Sequence, residues 1–222
     1  MMTGVILVGG QNKRMHGQCK ALMEIGGETL VLRQLRLMKP VCSEQIVVTN
    51  DPKPFLKLLE PDIRIITDFA PDRGPLGGMH AGLSLARNRD VWIVGSHMPL
   101  VSAPAARLLQ EKKHDGFEAA LPWVQGGVYP LHGVYDRSCA DTVWSLLQRG
   151  NAGLSQLLKE LFWAELTETA FQEAGIEPGF VDCFHTLEQY DKLLVKVSAL
   201  QSSPILPQGD NYHCELKSGE LG

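Results

Sequence analysis

The stretch VILVGGQNKRMHGQCKAL, Val5 to Leu22, decides how the rest of the chain is read. Val5, Ile6, Leu7 and Val8 form a continuous apolar run, suited to a strand buried on both faces of a parallel sheet, and Gly9 and Gly10 end it at once. Lys13, Arg14, His16 and Lys20 follow. In an open parallel sheet, ligands sit beyond the carboxyl ends of the strands. Glycines at that place let main-chain N–H groups approach an anion, because no Cβ intervenes. The spacing is neither GxGxxG nor GxxxxGK[ST], so it specifies neither a dinucleotide fingerprint nor a P-loop. A glycine pair alone is more often a plain turn; the basic residues behind it favour an anion-binding loop.

Working outward, similar runs recur in QIVVTN at Gln45, IRIITD at Ile63, VWIVGS at Val91 and FEAALPWV at Phe117. Between them the patterning predicts helices over Glu28–Met38, Leu76–Arg87 and Pro104–Lys113. Strand and helix therefore alternate, which predicts a doubly wound, mainly parallel sheet in a three-layer α/β/α arrangement. VYPLHGVY reads as a further strand, followed by helices over 137–149, 154–161 and 187–200. From Ser202 onward, SSPILPQGDNYHCELKSGELG has no periodicity and reads as a flexible tail. The expectation is one domain over 1–200 and a tail over 201–222.

Composition narrows the function classes. The net charge of −4 and the interspersed signs give no polyanion-binding surface, so nucleic acid is not an expected partner. Five scattered cysteines, odd in number and without a CxxC pair, specify neither a disulfide framework nor a structural zinc site. No apolar stretch has membrane-spanning length, and the first residues lack the cationic segment of a secretory signal. A cytoplasmic protein without a membrane partner is the expectation.

LVGGQNKRMHGQCKAL resembles the signature of the molybdenum cofactor guanylyltransferases and the NTP transferases around them, L-[AV]-G-G-x-S-x-R-M-G followed by a short spacer and K-x-L. Leu7, Gly9, Gly10, Arg14, Met15, Lys20 and Leu22 match, while Asn12, His16 and Cys19 depart from it. The resemblance implies a Rossmann-like fold of the nucleotide-diphospho-sugar transferase type. In it, Leu7, Val8, Gly9 and Gly10 cradle the nucleotide, and Arg14 and Lys20 act catalytically by opposing phosphate charge. Asn50 and Asp68, at the ends of two strands, resemble the family's base contacts; a carboxylate accepts from the N1 and N2 donors of guanine. Taken singly, Asn and Asp at strand ends are often mere punctuation. DRGPLGGMHAGLSLA resembles the family's G-P-L-x-G-[MI] segment and adds Gly74, Pro75, Leu76 and Gly78 to the nucleotide contacts.

The implied reaction is transfer of GMP from GTP to molybdopterin with release of pyrophosphate, supported by Mg²⁺. The implied partners are these small molecules and molybdenum-cofactor insertion proteins, with the protein a monomer or weak homo-oligomer. One position breaks the pattern. Where the family carries a metal-binding Asp before Met-Pro, VGSHMPL carries His97. In FVDCFHTLEQYDKLL, His185 stands where the family has a second metal-proximal Asn, with Asp182 nearby. Mg²⁺ prefers oxygen ligands, whereas imidazole favours borderline metals such as Zn²⁺. Two alternatives to the intact guanylyltransferase follow: an altered metal site of His97, His185 and Asp182, or a nucleotide- or molybdopterin-binding protein that has lost turnover. Cytidylyl transfer is a further alternative, since relatives use the same loop for CTP.

Overall fold

In a computed structural model, residues 1–9, 15, 17–70 and 73–202 are described, with the backbone alone for 200–202. The apolar run is β1 (Met2–Val8), buried along its whole length. Lys20–Leu22 forms a 3₁₀ turn, and a small antiparallel hairpin, β2 (Glu24–Ile25) and β3 (Glu28–Thr29), leads into α1 (Leu30–Met38). Then come β4 (Cys42–Thr49), β5 (Arg64–Ile66), α2 (Gly74–Leu85), β6 (Asp90–Gly95), α3 (Ala103–Lys113), β7 (Ala119–Val124), β8 (Gly127–Val128) and β9 (His132–Asp136). The chain continues through α4 (Cys139–Gln148), α5 (Leu154–Glu160), β10 (Trp163–Thr167), α6 (Glu168–Glu173), a 3₁₀ turn at Pro178–Val181 and α7 (Leu187–Ser202).

The main sheet has the order β10-β7-β9-β6-β1-β4-β5, with β8 paired to β7. β1 lies at its centre, parallel to β4 on one side and to β6 on the other. β4–β5 and β7–β10 are also parallel, whereas β9 runs against both β6 and β7. The sheet is thus mainly parallel, as expected. Alternation along the strands divides the core in two. Ile6, Val8, Val47, Trp92 and Val94 pack against α1 and α3 on one face. Val5, Leu7, Ile46, Val48 and Ile93 pack against α2 and α4 on the other. Burial on both faces is the physical reason these strands carry apolar runs without alternation. A third cluster, Met15, Ile25, Leu30, Phe184, Leu193 and Val197, fastens the segment after β1 and the β2–β3 hairpin to α7.

Several boundaries differ from the sequence expectation. The strand in IRIITD stops at Ile66, so Asp68 lies two residues beyond it, on a connecting segment. VYPLHGVY divides into β8 and β9 on either side of Tyr129–Leu131. The hairpin β2–β3, the edge strand β10 and the helix α6 add to the expected elements. α7 carries the domain to Ser202, and residues 203–222, which hold most of the expected tail, lie outside the described residues. Among the described residues, no helix is long and apolar enough to cross a membrane.

Candidate active site

The chain leaves β1 toward β4 and β5 on one side and later fills β6 on the other, so a crevice opens beyond the carboxyl end of β1. It holds a cavity of about 760 Å³. Leu7, Val8 and Gly9 from the end of β1, Thr49 and Asn50 from β4, and Gly95, Ser96 and His97 from β6 all line it. Lys20, Asp68, Gly74, Pro75 and Gly78 line it too, with Phe55 and Leu131 as apolar wall. Of the residues expected to bind nucleotide, Leu76 alone among those described does not line it; its side chain is fully buried between α2 and the sheet. Gly10 and Arg14 lie outside the described residues, as do Asn12 and His16.

Asn50 and Asp68 are joined. The Asp68 N–H donates to Asn50 Oδ1 at 3.2 Å, and Asp68 Oδ1 accepts from the Ala70 N–H at 2.7 Å. The carboxylate lies directly against the first turn of α2, at Gly77: a Cβ there would sit 2.6 Å from Asp68 Oδ1 and 2.7 Å from the Ala70 carbonyl. The glycine in GPLGGM thus makes room for Asp68, a role that the motif alone does not disclose. Gly74 begins the helix with φ +62, a conformation that suits glycine, and Pro75 follows without the N–H that a first-turn position leaves unbonded.

The loop carrying His97 is clamped from beneath. Buried Gln34 of α1 donates through Nε2 to the carbonyls of Gly95 (2.8 Å) and Met98 (2.9 Å), and Arg33 Nε donates to the Pro99 carbonyl (2.9 Å). The His97 imidazole lies over Gly95, where a Cβ would come within 2.7 Å of Nδ1. Burial, with the charges of His185 and Lys20 adding to it, pushes His97 down to about 3, so the imidazole is neutral at pH 7.

His185 meets His97 as expected, with ring centroids 4.9 Å apart. Asp182 does not join them: its carboxylate is ion-paired to Lys196 of α7. Cys183 takes the third place. One ligand atom from each of His97, Cys183 and His185 lies within 4.8 Å of the others, and Cys183 Sγ is 3.6 Å from His185 Nε2. Burial, with Asp182 adding to it, raises the Cys183 thiol above its ordinary value. Cys183 and His185 flank Phe184, whose side chain is fully buried in the cluster with α7. The Phe184 N–H also donates to the His97 carbonyl at 3.1 Å, tying the two segments together. Two imidazoles and a thiol are a poor set for Mg²⁺, a hard cation bound through oxygen, and the residues at this position do not fit it.

The sequence profile of the family described as MobA-like NTP transferase domain matches residues 4–166. A protein of Methanosarcina acetivorans named "Probable molybdenum cofactor guanylyltransferase" is 36% identical over 188 residues, spanning 79% of this chain and 81% of that protein. One of the same name from Pelotomaculum thermopropionicum is 35% identical over 137 residues, 62% of this chain and 64% of its own length. The crystal structure of molybdopterin-guanine dinucleotide biosynthesis protein A from Archaeoglobus fulgidus superimposes with a TM-score of 0.74 at 22% identity, covering 90% of this chain and 99% of that one. The chain belongs to the MobA-like NTP transferase family.

Proposed function

We propose that this protein transfers GMP from GTP to molybdopterin, with release of pyrophosphate. The observation that carries the reading is the bonded Asn50–Asp68 pair, set by Gly77 at the mouth of a cavity that Gly9 and Lys20 also line. The pair offers an amide and a carboxylate, which suit the paired N1 and N2 donors of guanine. Cytosine presents no such pair, so GTP is favoured over CTP.

In the reaction, a phosphate oxygen of molybdopterin attacks the α-phosphorus of GTP in line. The new P–O bond forms as the bond to the β-phosphate oxygen breaks, and pyrophosphate leaves with the electron pair. No protein nucleophile is needed; positioning and charge stabilisation do the catalysis. Leu7, Val8 and Gly9 present main chain beside the triphosphate, and Lys20 opposes the charge that grows on the leaving group. Gly10 and Arg14 take the same roles by resemblance. The acceptor and nucleotide are both small molecules of the cytoplasm, and the dinucleotide product would pass to molybdenum-cofactor insertion proteins.

One observation favours a second reading. With His97 and His185 where the family carries an Asp and an Asn, and Cys183 grouped with them, the protein on this reading binds GTP but does not turn it over. Pyrophosphate measured in mixtures of protein, GTP, molybdopterin and a panel of divalent cations separates the two. Release with any cation supports the transferase; GTP binding without release, restored by His97→Asp, supports the binding protein. Tighter binding of CTP than of GTP would overturn the guanine assignment.

A further inference from the structure

We propose that His97, Cys183 and His185 form a site for one thiophilic or borderline divalent cation, of which Zn²⁺ is the representative. The donors are two imidazole nitrogens and one sulfur, the set that selects such ions over Mg²⁺. A tetrahedral centre with metal–nitrogen and metal–sulfur bonds of about 2.0 and 2.3 Å has a nitrogen–sulfur edge of about 3.5 Å. Cys183 Sγ and His185 Nε2 already stand 3.6 Å apart. All three donors lie within 4.8 Å of one another.

The three side chains are held by unrelated devices. His97 fills the space that Gly95 leaves without a Cβ, on the loop clamped by Gln34. Cys183 and His185 flank Phe184, whose ring is anchored in the buried cluster with α7. The backbone of His185 is fixed in turn, because its N–H donates to Gln189 Oε1 (2.7 Å) while Thr186 Oγ1 accepts from the Gln189 N–H (3.2 Å) at the start of α7. The neighbouring carboxylate, Asp182, is engaged by Lys196. Three protein ligands leave a coordination position for water or a substrate oxygen, the arrangement of catalytic rather than structural zinc sites. Since His97 lines the nucleotide cavity, any part this ion plays at the phosphates rests on the guanylyl-transfer reading, whereas its binding does not.

The test therefore uses metal alone. Full-length protein stripped of metal is titrated with Co²⁺ in the absence of GTP and molybdopterin, and the absorption spectrum is followed. One equivalent is expected to give a near-ultraviolet thiolate-to-cobalt charge-transfer band with intense visible bands of four-coordination. Zn²⁺ is expected to displace the Co²⁺, and a roughly hundredfold excess of Mg²⁺ to leave it in place. Cys183→Ser should abolish the charge-transfer band, and His185→Asn, at an exposed position, should weaken Co²⁺ binding by about tenfold or more. No charge-transfer band in the unaltered protein, a band that survives Cys183→Ser, displacement by Mg²⁺, or unchanged affinity in His185→Asn would each overturn the site. Absence of pyrophosphate release in a protein that binds Co²⁺ in this way would count against the transferase alone.

Discussion

At Gly77 the smallest side chain controls one of the most chemically specific groups in the cavity. Gly77→Ala would drive a methyl group into the Asp68 carboxylate and the Ala70 carbonyl, so Asp68 must swing away from the position proposed to face the base. Loss of hydrogen bonds to one charged group is worth about 1.5–3 kcal/mol, and GTP affinity in the variant should fall by about tenfold to a hundredfold. Inosine triphosphate lacks the N2 donor, so its affinity should fall less. Titration of both nucleotides checks this; equal losses would mean that Asp68 does not read the exocyclic amine. The sequence made Asp68 and Asn50 legible as polar residues ending apolar runs, and Lys20 legible through its spacing from Gly9. It did not make Gly77 legible as a spacer, because its partner Asp68 lies nine positions away on a different segment. Cys183 was hidden for a similar reason: a cysteine without a second cysteine at metal-ligand spacing carries no signal until His97 is brought to it by the sheet.

At the scale of the element, the loop after β6 depends on α1. Gln34 is fully buried and its Nε2 supplies hydrogen bonds to two carbonyls that would otherwise face the interior. Gln34→Leu keeps the volume and takes a partner from both carbonyls; that of Gly95 still accepts from the Met98 N–H (3.2 Å), so the cost of about 1–3 kcal/mol falls on the Met98 carbonyl. Urea denaturation of the variant measures that cost. Any affinity for cations at His97 should drop in parallel, because the loop bearing the imidazole loses its lower anchor. Elements with a strong period were the ones the sequence disclosed: α1 and α3 fall within two residues of their expected starts and end where expected. Ser102 shows why the second is legible, since its side chain accepts from the Ala105 N–H and Pro104 follows at the first turn. β10 was not disclosed, since an edge strand reading Trp-Ala-Glu-Leu-Thr buries little and alternates over too few residues. The same holds for β2 and β3, two residues each, whose place is set by packing of Ile25 against Met15 and Phe184 and not by local preference.

For the whole molecule, acid stability follows from a histidine that does not line the cavity. His132 is fully buried at the start of β9, between the rings of Trp92 and Phe180, and its Nε2 accepts from the Ser102 N–H. Burial pushes it down to about 4. Its folded-state value is lower than its unfolded one, so the unfolded chain binds the proton first and stability falls with the pH. The contribution is complete above about pH 6.5 and is lost progressively as the pH drops toward 4. Between pH 7 and pH 5 the unfolding free energy should fall by about 2 kcal/mol from this group, and His97 acts in the same direction. Urea melts at the two pH values measure the loss, which should shrink in His132→Gln, whose Oε1 can still accept from Ser102. Asp90 and Asp136 are held below the usual carboxylate range, in each case against the opposing effect of burial. Asp136 is held by Ser138, Arg89 and Lys113, and Asp90 by Gln110, Lys113 and His114. Their contribution is present above about pH 4 and disappears only under more acidic conditions.

The reversed direction of β9 has a consequence for how such a protein can change its clientele. The side of the cavity proposed to hold the nucleotide is built from strand ends, Leu7 to Gly9 and Thr49 to Asn50, each of which leads into a long crossover. The opposite wall is reached by the beginning of a strand, at Leu131, which a short hairpin delivers: Gln125 and Gly126 turn with positive φ between β7 and β8, and Tyr129 to Leu131 lead into β9. Insertions or deletions in this hairpin alter one side of the crevice without shifting any parallel strand or its helix. The fold thereby separates a wall that can drift from a wall that cannot, and variation can accumulate in a dozen residues while the proposed cradle for the triphosphate stays as it is.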